Sequence, residues 1–489
     1  MNSHHYVACD LGAESGRIIL GHLSDGNLTI EEIHRFTTGP SSVFGTLRWN
    51  IWCIDQELKV GLRRVASSGL PVTGLSSDSW GVDYVHLFRG EPLTAPYHYR
   101  DSRTDGLMER VFSEVSRERI YSETGIQFMP SNTLYQLYAD KLYRPEVLWL
   151  SEKILNFADY FNYVYSGIPR AEESIASTTQ LYNPLLHDWS KSLIENLRLP
   201  ERVFPTLISS GTTLGPLVTN IVKETGLSNT QVIATCSHDT AAAVAAIPAK
   251  GEDWAYVSSG TWSLLGIECP EPIITPKSLK YNFANEMGYG RKTRFLKNIS
   301  GLWLVQECRR KWIEEGSNFT YAELTKSAAR CKPLRSLINP CDPRFFKRGK
   351  VPAQIVSYCR ETRQASPNTP GEFVRCILES LAMLYRLTLE ELQEVTGRKP
   401  NRLYIVGGGS KNELLNQFTA NVTQINVYAG PAEATAIANL LVQAVAMGDV
   451  NSIAEVRDIV GRSFLVKRFE AENDSGWQEA FLRFQELSN

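Results

Sequence analysis

The chain contains no run of about 18 apolar residues, which excludes an ordinary membrane-spanning helix. Its opening segment, MNSHHYVACDLG, has no basic stretch leading into an apolar core and so does not read as a secretory signal. The nine cysteines form no CxxC pair. An odd number scattered along a long chain fits neither a disulfide framework nor a zinc site, so buried thiols in a cytoplasmic protein are expected. Cys359 and Cys376, in adjoining predicted helices, are the pair that could approach each other. An excess of charge is missing too: 51 Lys and Arg against 53 Asp and Glu leave a formal charge of −2. That balance removes the electrostatic motive for nucleic acid or an anionic membrane as main partner, and no protein partner is evident. There is no GxxxxGK[ST] loop, no GxGxxG opening a helix, no HRD or DFG set and no GxSxG elbow. P-loop enzymes, Rossmann dehydrogenases, protein kinases and elbow hydrolases are therefore set aside. The consecutive Ser237, His238 and Asp239 are not a hydrolase triad, because three adjacent side chains do not converge in the required geometry.

What is present is a long globular chain. Its 489 residues, 43% apolar and 21% charged, suggest two to four structural units with ample cores. The first forty residues predict a three-stranded meander: HYVACDL, a turn at GAESG, RIILGHL, a turn at SDGN, then LTIEEIHRF. A helix at CIDQELKVGLRRVASS and strands at VTGLSSDS and GVDYVHLF follow, which makes the class α/β. Ser102 to about Tyr165 reads as mostly helical. Further on, DWAYVSSGTWSLLGIEC begins a strand, turn, strand unit much as VACDLGAESGRIILG does. This repetition predicts duplicated halves joined near Ala246 to Glu252, divided as residues 1–247 and 248–489. The second half carries an exposed loop from Gln364, a long helix from about Gly371 to Gly397, the strand RLYIVGGG and helices at SKNELLNQFTANV and PAEATAIANLLVQAVAMG.

Three groups of residues are candidates for chemistry. In SHDTAAAVAAIP, the alanines predict a short helix from Thr240 to Ile247, stopped by Pro248. Asp239 then sits at its positive end, either as a simple N-cap or as a carboxylate held ionised beside N–H groups that can receive a phosphate oxygen. Gly-rich turns follow predicted strands at Gly12 to Gly16, at Ser258 to Gly260 with Thr261, and at Gly407 to Gly409. Such turns serve hairpins, but they also expose amides that can cradle phosphate. Gly260→Val is accordingly expected to weaken nucleotide binding by crowding its turn. Finally, Trp80, Asp83, Arg100, Asp101 and Arg103 read either as a sugar-binding wall or as a core tryptophan among salt bridges.

CDLGAESGR, SHDTAAAV, SSGTWSLLG and IVGGGSKNELLNQF, in this order and spacing, resemble the FGGY carbohydrate kinases. The resemblance implies a duplicated actin-like, ribonuclease H-type ATPase fold of two domains with a cleft between them, and transfer of the ATP γ-phosphoryl group to a sugar with Mg2+. SDSWGVDY, YRDSRT, GIQFMPSNTLYQL and KNISGLWLVQE narrow the implied acceptor to the 1-hydroxyl of L-rhamnulose. L-fuculose or another deoxy-ketose is the alternative acceptor, and an actin-like ATPase working through partner binding is the alternative from another class. By this resemblance Asp239 is the catalytic base. Ala13, Glu14, Ser15, Gly16, Arg17, Thr261, Gln306 and Gly408 bind ATP; Gly81, His238, Thr240 and Asn298 surround the sugar with Asp239; Asp10 positions Mg2+ through water. Two departures stand out: Ala13 occupies a position where the family usually has Thr, and PSNTLYQL lacks the usual Lys. Both resemble one branch of the family.

Overall fold

The computed structural model describes residues 3–346, 349–472 and 476–488. The chain forms two compact units, one of Met1–Pro248, Glu268–Phe295 and Ala434–Phe464, the other of Ala249–Ile267, Leu296–Glu433 and Leu465–Asn489. The first crossing falls at Pro248, and two later segments return to the first unit.

The predicted meander opens the first unit: Ser3–Leu11 is antiparallel to Ser15–Ser24, which is antiparallel to Asn27–Thr37. Asp25 and Gly26 join the last two strands with φ of 50° and 71°, the paired positive angles of a tight hairpin turn. Gly74–Ser79 then adds in parallel beside Ser3–Leu11, and Gln231–Ala234 in parallel beside Gly74–Ser79. The helices Phe157–Ser166 and Ala434–Met447 both pack on Gly74–Ser79, all six of whose residues are buried. Parallel strands covered in this way lose the alternation of polar and apolar residues that marks a half-exposed strand. The segment predicted as mostly helical contains Leu107–Glu114, Arg117–Thr124, Thr133–Tyr143 and Pro145–Leu150 before Phe157–Ser166. It also contains a strand that the pattern missed, Lys153–Asn156, paired with Tyr84–Phe88; four residues are too few for periodicity to declare them.

The second unit repeats the scheme. Trp254–Ser259 is antiparallel to Trp262–Cys269 and parallel to Arg402–Val406, which is parallel to Asn426–Ala429. The long helix spans Pro370–Thr396, opened by a capping box between Thr369 and Glu372 and closed by Gly397 at φ 69°. The loop before it is tethered by Gln364, whose side chain bonds the N–H and carbonyl of Leu337 at 2.9 and 2.8 Å. Cys359 and Cys376 are buried free thiols close enough to shift each other's acidity, Cys359 downward and Cys376 upward. Among the described residues no helix is long and apolar enough to cross a membrane.

Candidate active site

In open α/β sheets, ligands bind beyond the carboxyl ends of the parallel strands. In the first unit those ends carry acids. Asp10 and Asp78 are register partners on neighbouring parallel strands, so their side chains share a face of the sheet. Asp10 is 6% exposed and paired with the Arg17 guanidinium. Asp78 is fully buried; its Oδ2 accepts from Asn439 Nδ2 at 2.5 Å, and its Oδ1 has no hydrogen-bond partner among the described residues. Burial, then the charges of Asp10 and Asp239, push the Asp78 carboxyl well above the usual carboxylate range. Sequence reasoning missed Asp78, because SDS inside a fully buried strand carries no signal of its own.

Asp239 begins the helix Asp239–Ala245, one residue earlier than the alanine run suggested. The N-cap position therefore falls to His238, and the reading of Asp239 as a cap is corrected: it is the first helical residue. Its Oδ1 accepts from the Thr240 N–H at 2.5 Å and the Thr240 hydroxyl at 3.1 Å, and its side chain is 32% exposed. The expectation that the helix end would lower its pKa is also overturned. Burial, the largest influence, and the charge of Asp10 raise the carboxyl, outweighing His238 and Thr240, so Asp239 is a better base than an ordinary aspartate. The preceding backbone is pinned from below: Glu172 Oε2 accepts the Ser237 N–H at 3.0 Å, and Ser174 Oγ accepts the His238 N–H at 3.1 Å. His238 is 7% exposed, with Nε2 lying 3.4 Å from Asp239 Oδ1.

The first Gly-rich turn holds Ala13 and Glu14, while Ser15, Gly16 and Arg17 start the next strand. Gly12 N–H donates to the Ser15 carbonyl at 2.9 Å, and the Thr38 hydroxyl bonds the Gly12 carbonyl at 2.6 Å. Gly16 is required for packing, since a Cβ there would lie 2.2 Å from the Phe36 ring. Gly81 is equally confined, its Cβ position 2.6 Å from Thr178 Oγ1.

The second unit contains a cavity of about 1310 Å³, large enough for a nucleotide, lined by Gly260, Gln306, Gly408 and Gly409 with the helix start at Asn412. Gln306 Oε1 is buried there with no hydrogen-bond partner among the described residues, an acceptor left for a ligand. Thr261 stands beside Gly260 in the turn, where its carbonyl accepts from Trp303 N–H at 3.2 Å. Asn298 lies on the strand Thr293–Ser300. The Gly260→Val expectation changes in its reason: a Cβ at Gly260 meets only the Trp262 carbonyl, at 3.8 Å, so the turn itself has room. Gly409 is the confined position, its Cβ 2.0 Å from Ser259 Oγ and 3.0 Å from the Ser259 carbonyl. Gly409→Val is expected to force the loop off the strand end at about 1–3 kcal/mol of strain and to weaken ATP affinity at least about tenfold. Calorimetric titration with ATP checks this; an unchanged Kd would mean that the loop takes no part in binding.

The five wall residues divide. Asp83 is fully buried and accepts from the indoles of Trp49 and Trp80 at 2.6 and 3.0 Å and from Gln136 Nε2 at 3.0 Å. Asp101 accepts the N–H groups of Leu47 and Arg103, and Arg103 bonds Asp140. Trp80 packs at tilted angles against Trp49 and Phe157. For these four the structural reading holds, their polar groups being paired inside the protein except Arg103 Nε, which is buried without a hydrogen-bond partner among the described residues. Arg100 is half-buried next to Tyr99.

The chain belongs to the FGGY family of carbohydrate kinases: the family's N-terminal domain matches residues 5–246 and its C-terminal domain residues 255–447. Its fold is the two-domain, actin-like fold of that family, and the gluconate kinase of Lactobacillus acidophilus superposes with a TM-score of 0.84 at 16% identity, over 100% of this chain and 98% of that one. Within the family, the chain is 41% identical to a rhamnulokinase of Bacteroides thetaiotaomicron, over 98% of this chain and 99% of that protein. It is 39% identical to a rhamnulokinase of Bacillus subtilis, over 95% of each.

Proposed function

We propose that the chain transfers the γ-phosphoryl group of ATP to the 1-hydroxyl of L-rhamnulose, yielding L-rhamnulose 1-phosphate and ADP. It works in the cytoplasm, without nucleic acid, membrane or protein as partner. One observation carries the mechanism: the partly exposed Asp239 carboxylate, raised in pKa at a strand-to-helix junction. Asp239 orients the sugar hydroxyl and accepts its proton as the O1–Pγ bond forms and the bond from Pγ to the β-phosphate oxygen breaks. Phosphoryl transfer passes a loose transition state in most analyses, so the proton can leave late and a carboxylate suffices. His238, Thr240, Gly81 and Asn298 surround the sugar. The turn Ala13 to Gly16 and Thr261 meet the phosphates, while Gln306 and Gly408 line the nucleotide site. Arg17, paired with Asp10, sets the position of that acid as well as facing phosphate.

Mg2+ fits the same residues. Asp10 and Asp78 offer hard oxygen donors on one face, one oxygen of Asp78 lacking a partner among the described residues. When bound, Mg2+ neutralises charge on the transferring phosphoryl group.

ADP release with ATP and Mg2+ tests the reading, comparing L-rhamnulose, L-fuculose, L-xylulose and no sugar. A preference for L-rhamnulose of about 10-fold or more is expected, the scale on which one differently placed hydroxyl is discriminated. Preference for L-fuculose would move the substrate within the class. ATP turnover indifferent to every sugar would favour an actin-like ATPase acting through partners.

A further inference from the structure

We infer that Arg294 fixes the tautomer of His238, so that the His238 Nε2–H faces the Asp239 carboxylate and holds it in a base's orientation. The inference rests on the reading of Asp239 as the base. Arg294 is wholly buried on the strand Thr293–Ser300. Its Nε donates to the Met287 carbonyl at 3.1 Å, and its Nη2 lies 3.0 Å from both Glu286 Oε2 and His238 Nδ1. A guanidinium has donors only and stays charged in proteins, so the atom facing it at His238 must present a lone pair.

The two hydrogens of Nη2 serve Glu286 and His238 together. Glu286 Oε2 is also 3.3 Å from Nδ1, which raises the opposite arrangement, a protonated Nδ1 donating to the carboxylate. That arrangement would set an N–H against the Arg294 N–H at 3.0 Å, donor against donor. With Nδ1 accepting, the ring proton of His238 sits on Nε2, the nitrogen that faces Asp239 Oδ1 at 3.4 Å. Because Glu172 and Ser174 already pin the amides of Ser237 and His238, the ring is the part left to be set. Arg294 is therefore a positioning residue, acting through His238 on Asp239. It lies 56 residues from His238 in sequence, inside TRFLKNIS, which reads as an ordinary strand.

The test is nitrogen NMR of protein labelled at its eight histidines, with the His238 signals assigned by their loss in His238→Asn. The native spectrum is expected to show His238 protonated at Nε2 and bare at Nδ1. In Arg294→Met the tautomers should mix, and kcat should fall about 10- to 100-fold with KM for ATP unchanged, the scale of losing a supporting hydrogen bond behind a reacting group. Arg294→Lys, which keeps a buried cationic donor, should recover most of the loss. A native His238 protonated at Nδ1 overturns the inference, whatever Asp239 does, and needs no variant to fold. A folded Arg294→Met with native tautomer and kcat overturns it as well. Full turnover by Asp239→Asn beside an Nε2-protonated His238 would overturn the base reading and leave the tautomer assignment supported.

Discussion

Asp239→Asn is expected to lower turnover of L-rhamnulose by about 10²- to 10⁴-fold, the usual range for removing a general base, while ATP affinity stays near native. Asparagine nearly matches the shape of aspartate, and its carbonyl can still accept from the Thr240 N–H that now bonds Oδ1. What it cannot do is take a proton from the sugar. Coupled ADP release gives kcat, and calorimetric titration gives the Kd for ATP. Turnover within a few-fold of native in a folded variant would sink the base assignment. The pH profile carries the same claim with a definite sign: Asp239 must be ionised to act, and burial and Asp10 raise its carboxyl. The acid limb of kcat/KM should therefore lie above the ordinary aspartate value of 3.8, with activity lost as pH falls through it.

Arg103→Met is expected to destabilise the protein by about 3–5 kcal/mol, because it strands a buried charge. The Asp140 side chain is 2% exposed and accepts from Arg103 Nη1 at 2.5 Å, from the Tyr84 hydroxyl and from His86. Burial raises the Asp140 carboxyl, but the Arg103 charge and the bonds from His86 and Tyr84 outweigh it and hold the group well below the usual range. A depressed folded pKa stabilises above the unfolded value near 3.8, and that contribution is lost as pH falls through the folded value. The stability gap between native protein and Arg103→Met should thus be full at neutral pH and narrow in strong acid. Denaturant unfolding at several pH values measures it. A loss below about 1 kcal/mol, as for a surface pair, would show that Asp140 finds other compensation.

What sequence revealed depended on whether a physical signal was local. The hairpin at Asp25 and Gly26 and the capped helix Pro370–Thr396 were legible because their residues specify their own backbone. Asp239 was visible as an acid before an alanine run, but whether it or His238 occupies the cap depends on one residue of register. Asp78 was hidden by burial of its whole strand, and Arg294 by distance along the chain. Asp83 and Arg103 were open to two readings in sequence, a sugar wall or internal pairing, and the second holds: the stretch is mostly an internal hydrogen-bond network, which sequence could not decide because Trp49 and Gln136 arrive from remote segments. The raised Asp239 carboxyl likewise follows from tertiary burial, which no local dipole argument contains.

The most direct measurement is the structure of the product formed from L-rhamnulose, ATP and Mg2+, read by phosphorus–proton correlation NMR. The account predicts one sugar phosphate, with phosphorus coupled to the protons of carbon 1, formed in equal amount to ADP. Phosphorus on another carbon, or inorganic phosphate released without any sugar ester, would contradict it.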